Sequence, residues 1–123
     1  MREIETHKVE GKGGGADGTR ILVTDQPGAG GANHHYVVLG DDPDEPLALV
    51  DFQEGPIQEH GVNGVQQEHL LAIVIDRLES FQRGPFANDY NGDALKYCKA
   101  ALGRLQDRTR ERMARGVEGF NKE

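Results

Sequence analysis

Apolar and polar positions follow two different rhythms along this chain, and the rhythm changes near Gly61. Before Gly61, short apolar runs are separated by glycine, proline and aspartate. Residues 1–9 alternate loosely, 19–24 (Thr-Arg-Ile-Leu-Val-Thr) are rich in β-branched side chains, and 34–39 (His-His-Tyr-Val-Val-Leu) and 47–52 (Leu-Ala-Leu-Val-Asp-Phe) read as further strands. The connectors at 11–18, 26–33 and 40–46 carry turn residues. Spacings this short imply hairpins, and hairpins imply an antiparallel sheet.

After Gly61 the pattern becomes helical. Asn63-Gly64 makes a turn, and the periodicity predicts a helix over 65–82. Leu71, Val74, Leu78 and Phe81 recur at 3, 4 and 3 as its buried seam, widened by Leu70, Ile73 and Ile75. Arg83-Gly84-Pro85 stops it. Asp89 or Asn91 caps a second helix that runs to about Arg115, where Gly116 ends it. Its seam reads Asn91, Leu95, Cys98, Leu102, Leu105, Thr109 and Arg112. Two helices joined by a short loop form an antiparallel hairpin. The expected fold is α+β: a small N-terminal antiparallel sheet of about four strands packed with a C-terminal two-helix hairpin. It forms a single domain over 1–123, β-rich through 60 and helical over 61–119.

The second seam turns polar at both ends. Asn91, Thr109 and Arg112 stand where core residues would be expected. Burying such groups unpaired costs roughly 1–3 kcal/mol each. Either they lie past the edge of the core, or they meet a ligand or another subunit.

Composition narrows the function. The chain has 123 residues, 36% hydrophobic, with 17 glycines and no tryptophan, so its core is lean and oligomerisation is a natural support. A net charge of -7 argues against binding nucleic-acid polymers. No apolar run approaches the ~20 residues of a membrane span, and the first residues lack the apolar stretch of a signal peptide. One cysteine excludes an internal disulfide framework and fits a reducing cytoplasm; within the apolar helical pattern Cys98 reads as a buried thiol more readily than as a nucleophile.

Charge reverses locally. Between Gly103 and Arg115, Arg104, Arg108, Arg110, Arg112 and Arg115 stand against only Asp107 and Glu111. Arg104, Arg108, Arg112 and Arg115 share a helix face. Guanidinium forks suit phosphate or carboxylate, while i,i+4 ion pairs on a solvated face are the plainer reading.

No catalytic set emerges. Ser80 and Cys98 are the only Ser and Cys, and Ser80 lies within a helix with no elbow motif. The five histidines show no metal-ligand spacing, so no metal or other cofactor is expected, although one of the adjacent His34 and His35 is placed to contact a ligand. The Gly11-Lys12-Gly13-Gly14-Gly15 run lacks phosphate-loop spacing and reads as a loop.

Two related pentapeptides, Phe52-Gln53-Glu54-Gly55-Pro56 and Phe81-Gln82-Arg83-Gly84-Pro85, each end an apolar element. Each phenylalanine is a packing staple or a face for a stacking base. Phe81, Asn91 and the Arg108/Arg112 pair together resemble a stacking surface, an amide reader and a phosphate clamp. An antiparallel hairpin separates them, because the ~17 residues from Asn91 to Arg108 span about 25 Å. Two antiparallel protomers bring them together.

The segment over 52–119 resembles the phage Thoeris anti-defence sponge proteins, which share a helical hairpin with anti-CBASS sponges. The resemblance rests on Phe52-Gln53-Glu54-Gly55-Pro56-Ile57, Gly61-Val62-Asn63-Gly64-Val65, Leu70-Leu71-Ala72-Ile73-Val74-Ile75-Asp76-Arg77-Leu78, Phe81-Gln82-Arg83-Gly84-Pro85-Phe86, Asn91, Arg108-Thr109-Arg110-Glu111-Arg112 and Arg115-Gly116-Val117-Glu118-Gly119. It implies a non-enzymatic protein that sequesters cyclic ADP-ribose-type signals (glycocyclic ADP-ribose), and in some members cyclic di- or trinucleotides, in the host-cell cytoplasm. It also implies a homodimer assembled into a hexamer, with pockets between protomers. Carried over by motif, Phe81 stacks on the base, Asn91 reads polar edges, and Arg108 and Arg112 hold phosphates, with Arg77, Gln82, Arg115, Val117 and Glu118 around them. Asp89-Tyr90, just ahead of Asn91, is a local variation at the pocket rim. The rival expectation is a structural phage protein whose hairpin mediates assembly only; a hydrolase of the same signal would need the catalytic set that is missing.

Overall fold

The structure, a computed structural model, describes residues 1–11 and 18–117. The chain divides into two compact units, Met1–Gly55 with Val62–Gly64, and Pro56–Gly61 with the chain from Val65 onward.

The first unit is a four-stranded antiparallel sheet in chain order: β1 (Arg2–Glu3), β2 (Arg20–Val23), β3 (His35–Leu39) and β4 (Ala48–Asp51). Each neighbouring pair is antiparallel. All four expected strands form, but β1 is far shorter than the 1–9 expected. The Ile4 amide still pairs with Ile21 O at 3.0 Å, and then the Thr6 hydroxyl turns onto His7 Nδ1 at 2.9 Å. The polar run 5–8 gives a strand no second apolar side chain to bury, so pairing stops there. Register places Val23 opposite Tyr36 and Tyr36 opposite Val50. Val23 is wholly buried, and the Tyr36 ring meets Phe52 edge-on with centroids 5.6 Å apart.

Two devices shape this unit's loops. Asp25 accepts the amides of His34 (2.9 Å) and His35 (3.2 Å), which closes the β2–β3 connector. Asn63 receives the Glu54 amide at 2.7 Å and donates to Glu54 O at 2.8 Å. At Gly64 a Cβ would stand 2.5 Å from the carbonyl carbon of Phe52. Only glycine permits that approach, which is the physical reason for the Asn63-Gly64 turn.

The second unit holds a helical turn, α1 (Ile57–His60), which the sequence pattern did not suggest, and two long helices, α2 (Gln67–Gln82) and α3 (Asp89–Ala114). α2 starts two residues later than expected because Gln66 and His69 form a reciprocal cap, with the Gln66 amide donating to His69 Nδ1 at 2.9 Å. α3 is capped by Asn88, not by Asp89 or Asn91: the Asn88 side chain accepts the Asn91 amide at 2.8 Å. Asn91 is therefore the donor at this cap.

The helices are antiparallel. Gln82 at the end of α2 bonds Asn88 just before α3, and Lys99 reaches Glu79 at 3.2 Å. The α3 seam is as expected, with Asn91, Leu95, Cys98, Leu102, Leu105 and Thr109 partly buried and Arg112 buried. The α2 seam runs at Leu71, Ile75 and Leu78; Ile75 is buried, whereas Val74 is 43% exposed. Residues 70–75 are apolar almost throughout, so their spacing alone left the helix phase open. Thr109 satisfies its own hydroxyl by donating to Leu105 O at 3.3 Å.

Val23→Ala should lower the free energy of unfolding by roughly 2–3 kcal/mol, through lost burial and a cavity with no way to collapse. Leu49→Ala, at a side chain 68% exposed, should change it by less than about 0.5 kcal/mol. Urea unfolding monitored by far-UV circular dichroism measures both; equal costs would contradict the placement of the core.

Candidate functional site

At the turn end of the hairpin the late residues of α2 meet the start of α3. The Arg77 guanidinium lies 5.0 Å from the centroid of the Phe81 ring, one helical turn away. Such cation–π contacts are worth about 0.5–1 kcal/mol at exposed sites, and this one sets positive charge over one face of the ring. Gln82 uses both ends of its amide on the Asn88 backbone: Nε2 donates to Asn88 O at 3.0 Å and Oε1 accepts the Asn88 amide at 3.1 Å. Gln82 thereby shapes the turn that holds Phe81 and Asn91 together. Gly92 leaves it room, since a Cβ there would stand 3.2 Å from Gln82 Nε2.

The arginine run occupies the other end, and its members separate by partner. Arg104 and Arg110 share the Asp107 carboxylate at 3.1 Å each, and Arg115 Nε meets Glu111 at 2.6 Å. These are exposed pairs that contribute little. Arg112 is 8% exposed, and its Nη2 donates to Val117 O at 3.0 Å. The backbone answers in kind. Val117 N bonds Arg112 O, and Gly116 N bonds Met113 O, both at 3.0 Å, with Gly116 at φ 73°. This is a Schellman ending, and the Arg112 side chain fastens it. Arg108 is exposed and makes no hydrogen bond or ion pair with the described residues. Glu118 lies outside the described residues.

Phe81, Arg77, Gln82 and Asn91 are thus assembled at one end of the hairpin, and Arg108, Arg112, Arg115 and Val117 at the other. A shallow recess of about 300 Å³ lies at the arginine end, lined by Gln66, Glu68, Gln106, Thr109, Arg110 and Met113. It includes none of Phe81, Asn91, Arg108 and Arg112. No spacing signal marked it, because its polar lining comes from both helices.

In the first unit the histidine pair is occupied. His35 Nδ1 meets Asp51 Oδ1 at 2.7 Å, and Nε2 faces Glu54 Oε2 at 3.4 Å. The His34 side chain is buried, with Nδ1 lacking a hydrogen-bond partner among the described residues. His34 is thus withdrawn from solvent, whereas the His35 ring is 38% exposed with both nitrogens facing carboxylates. Among the described residues, no group of three or more His, Cys, Asp or Glu is placed to hold a metal. The bond to Asp51 raises the His35 pKa; partial burial opposes this, and Glu54 and the charge of Asp25 add to it. Desolvation works against the Asp25 carboxylate, but the His34 and His35 amides outweigh it and its pKa falls.

Over 73 residues the chain is 51% identical to the curated protein Thoeris anti-defense 1 of Bacillus phage SBSphiJ7, a match covering 59% of this chain and 51% of that protein. The chain spans about half the length of the curated relative it matches. No protein-family model matches it. The identity supports the resemblance to the phage Thoeris anti-defence family.

Because the folded state favours protonated His35, its stabilisation is complete below the ordinary pKa of 6.5 and is lost as pH rises through the higher folded value. An NMR titration should place the His35 midpoint above 6.5, with Asp51→Asn bringing it down and flattening the fall in thermal midpoint over that window. A midpoint at or below 6.5 in the unaltered chain would contradict the ion-pair geometry.

Proposed function

We propose that this chain is a Thoeris anti-defence protein of the sponge type, which binds a cyclic ADP-ribose-type signal and holds it uncleaved. The name of the relative and the 51% identity support the anti-defence role. The observation that carries the binding reading is the division of the hairpin's chemistry. An aromatic ring with a cation over one of its faces and an amide stand at one end, and an exposed guanidinium, Arg108, stands at the other. A helix rises about 1.5 Å per residue, so the two ends are about 25 Å apart and no small molecule spans them in one protomer. An antiparallel dimer supplies each end with its complement.

In this reading Phe81 stacks on the base, Asn91 reads its polar edge, and Arg108 from the partner protomer holds a phosphate. Arg112 fixes the turn at Val117 and adds charge beneath that phosphate, and Arg77, Gln82, Arg115 and Glu118 line the surroundings. Assembly of dimers into a hexamer, uptake of cyclic di- or trinucleotides at separate sites, and action in the host-cell cytoplasm belong to the same proposal. Sequestration without cleavage fits the state of the nucleophiles. The Ser80 hydroxyl donates to Asp76 O at 3.1 Å, and Cys98 is partly buried in the seam.

The test is incubation with a cyclic ADP-ribose isomer, removal of the protein, and heat denaturation of what was bound. Depletion followed by release of intact ligand is the expected result. A cleaved product points instead to a hydrolase, and absence of depletion to a structural protein. Arg108→Ala should weaken capture roughly 10- to 100-fold, the loss of one charge-assisted contact of about 1.5–3 kcal/mol. Capture at unchanged affinity would sink the assignment of Arg108.

A further inference from the structure

The chain holds two Asn-Gly steps, Asn63-Gly64 and Asn91-Gly92. Asparagine is thermolabile, and most so before glycine, where no Cβ obstructs attack of the following backbone nitrogen on the side-chain amide. Exposure alone selects Asn63, which is exposed, over Asn91, which is partly buried. The bonding selects the other. Asn63 Oδ1 accepts the Glu54 amide at 2.7 Å, Nδ2 donates to Glu54 O at 2.8 Å, and its main-chain amide donates to Gln53 Oε1 at 3.0 Å. Gly64 is set so close against the end of β4 that a Cβ would stand 2.6 Å from Phe52 O and 2.7 Å from Asp51 O, so the step has little room to rotate.

At the start of α3 the asparagine side chain is untied. The Asn91 side-chain amide makes no hydrogen bond with the described residues. Two backbone donors hold the step: the Asn91 amide on Asn88 Oδ1 at 2.8 Å and the Gly92 amide on Asn88 O at 3.0 Å. Both end on Asn88, and both lie in a terminal helical turn, the part of a helix that frays first. Asn88 is itself held by the two ends of the Gln82 amide, at 3.0 and 3.1 Å.

We propose that Asn91 is the position at which this chain deamidates, and that Gln82 sets the rate. When the first turn of α3 opens, hydroxide takes the proton of the Gly92 amide and the freed nitrogen attacks Asn91 Cγ. A Cγ–N bond forms, the Cγ–Nδ2 bond breaks, and ammonia leaves with a proton returned by water. A second water opens the five-membered imide to aspartate or isoaspartate, and nothing is oxidised or reduced. The consequence, though not the conversion, rests on the reading of Asn91 as the group that reads the base. A carboxylate at 91 loses both donors of the amide and adds negative charge beside Asp89 and Asp93, where the proposed ligand is itself anionic.

Incubation of the unaltered chain at mildly alkaline pH, followed by digestion and peptide mass mapping, follows both asparagines at once. Two hydrogen bonds hold the Asn63 amide and none holds that of Asn91, so conversion at 91 should run roughly tenfold faster. Gln82→Ala should speed conversion at 91 several-fold and leave 63 unchanged, whereas general unfolding would speed both. Conversion at 63 first, equal rates, no conversion at 91, or a rate at 91 indifferent to Gln82→Ala overturns the proposal. Anion exchange then separates the converted chain by its added charge. Loss of capture of a cyclic ADP-ribose isomer in that fraction supports the modification and the role of Asn91 together. Capture equal to that of the fresh chain upholds the modification and defeats the role of Asn91 alone.

Discussion

Burial along one seam holds α2 and α3 antiparallel, with Ile75 buried on one helix and Leu95, Cys98, Leu102 and Leu105 partly buried on the other. The turn reinforces this alignment, because Gln82 clamps Asn88 while Asn88 caps α3. Everything proposed for the hairpin follows from that direction of packing. It places Phe81, Arg77 and Asn91 at one end and Arg108 and Arg112 at the other.

The arginine run shows how burial divides residues that spacing treats alike. Four of its members recur at helical intervals. Arg104 and Arg115 are neutralised by Asp107 and Glu111, and Arg112 fastens the helix ending through Val117. Arg108 alone among these four is exposed without a partner among the described residues, which makes it the group available to an anion.

The strands, the two long helices and the α3 seam were legible in the sequence because each rests on a regular alternation of apolar positions. The phase of α2 was not, since residues 70–75 offer apolar side chains in every direction and only packing selects Ile75 over Val74. The cap at Asn88 was missed because three polar residues, Asn88, Asp89 and Asn91, compete for that role within one turn. For the site, Phe81, Asn91 and Arg108 were legible as residue types at suggestive positions. The structural duties of Gln82 and Arg112 were not, because both act on backbone groups several residues away that no side-chain pattern records. The partners of the histidine pair were not legible either, because Asp51 comes opposite His35 only through the pairing of β3 with β4.

The central claim, a site built from the two ends of two protomers, is tested most directly by complementation. Phe81→Ala and Arg108→Ala each remove one half of the site and, at protein concentrations near the Kd of the unaltered site, should each leave only a small fraction of the capture of a cyclic ADP-ribose isomer. Mixing the two after unfolding and refolding together forms heterodimers in which one site holds an intact Phe81 and an intact Arg108. Random pairing then restores about a quarter of the sites. Recovery of capture to about that level is the predicted result, and a mixture as inactive as its two components would contradict the shared site.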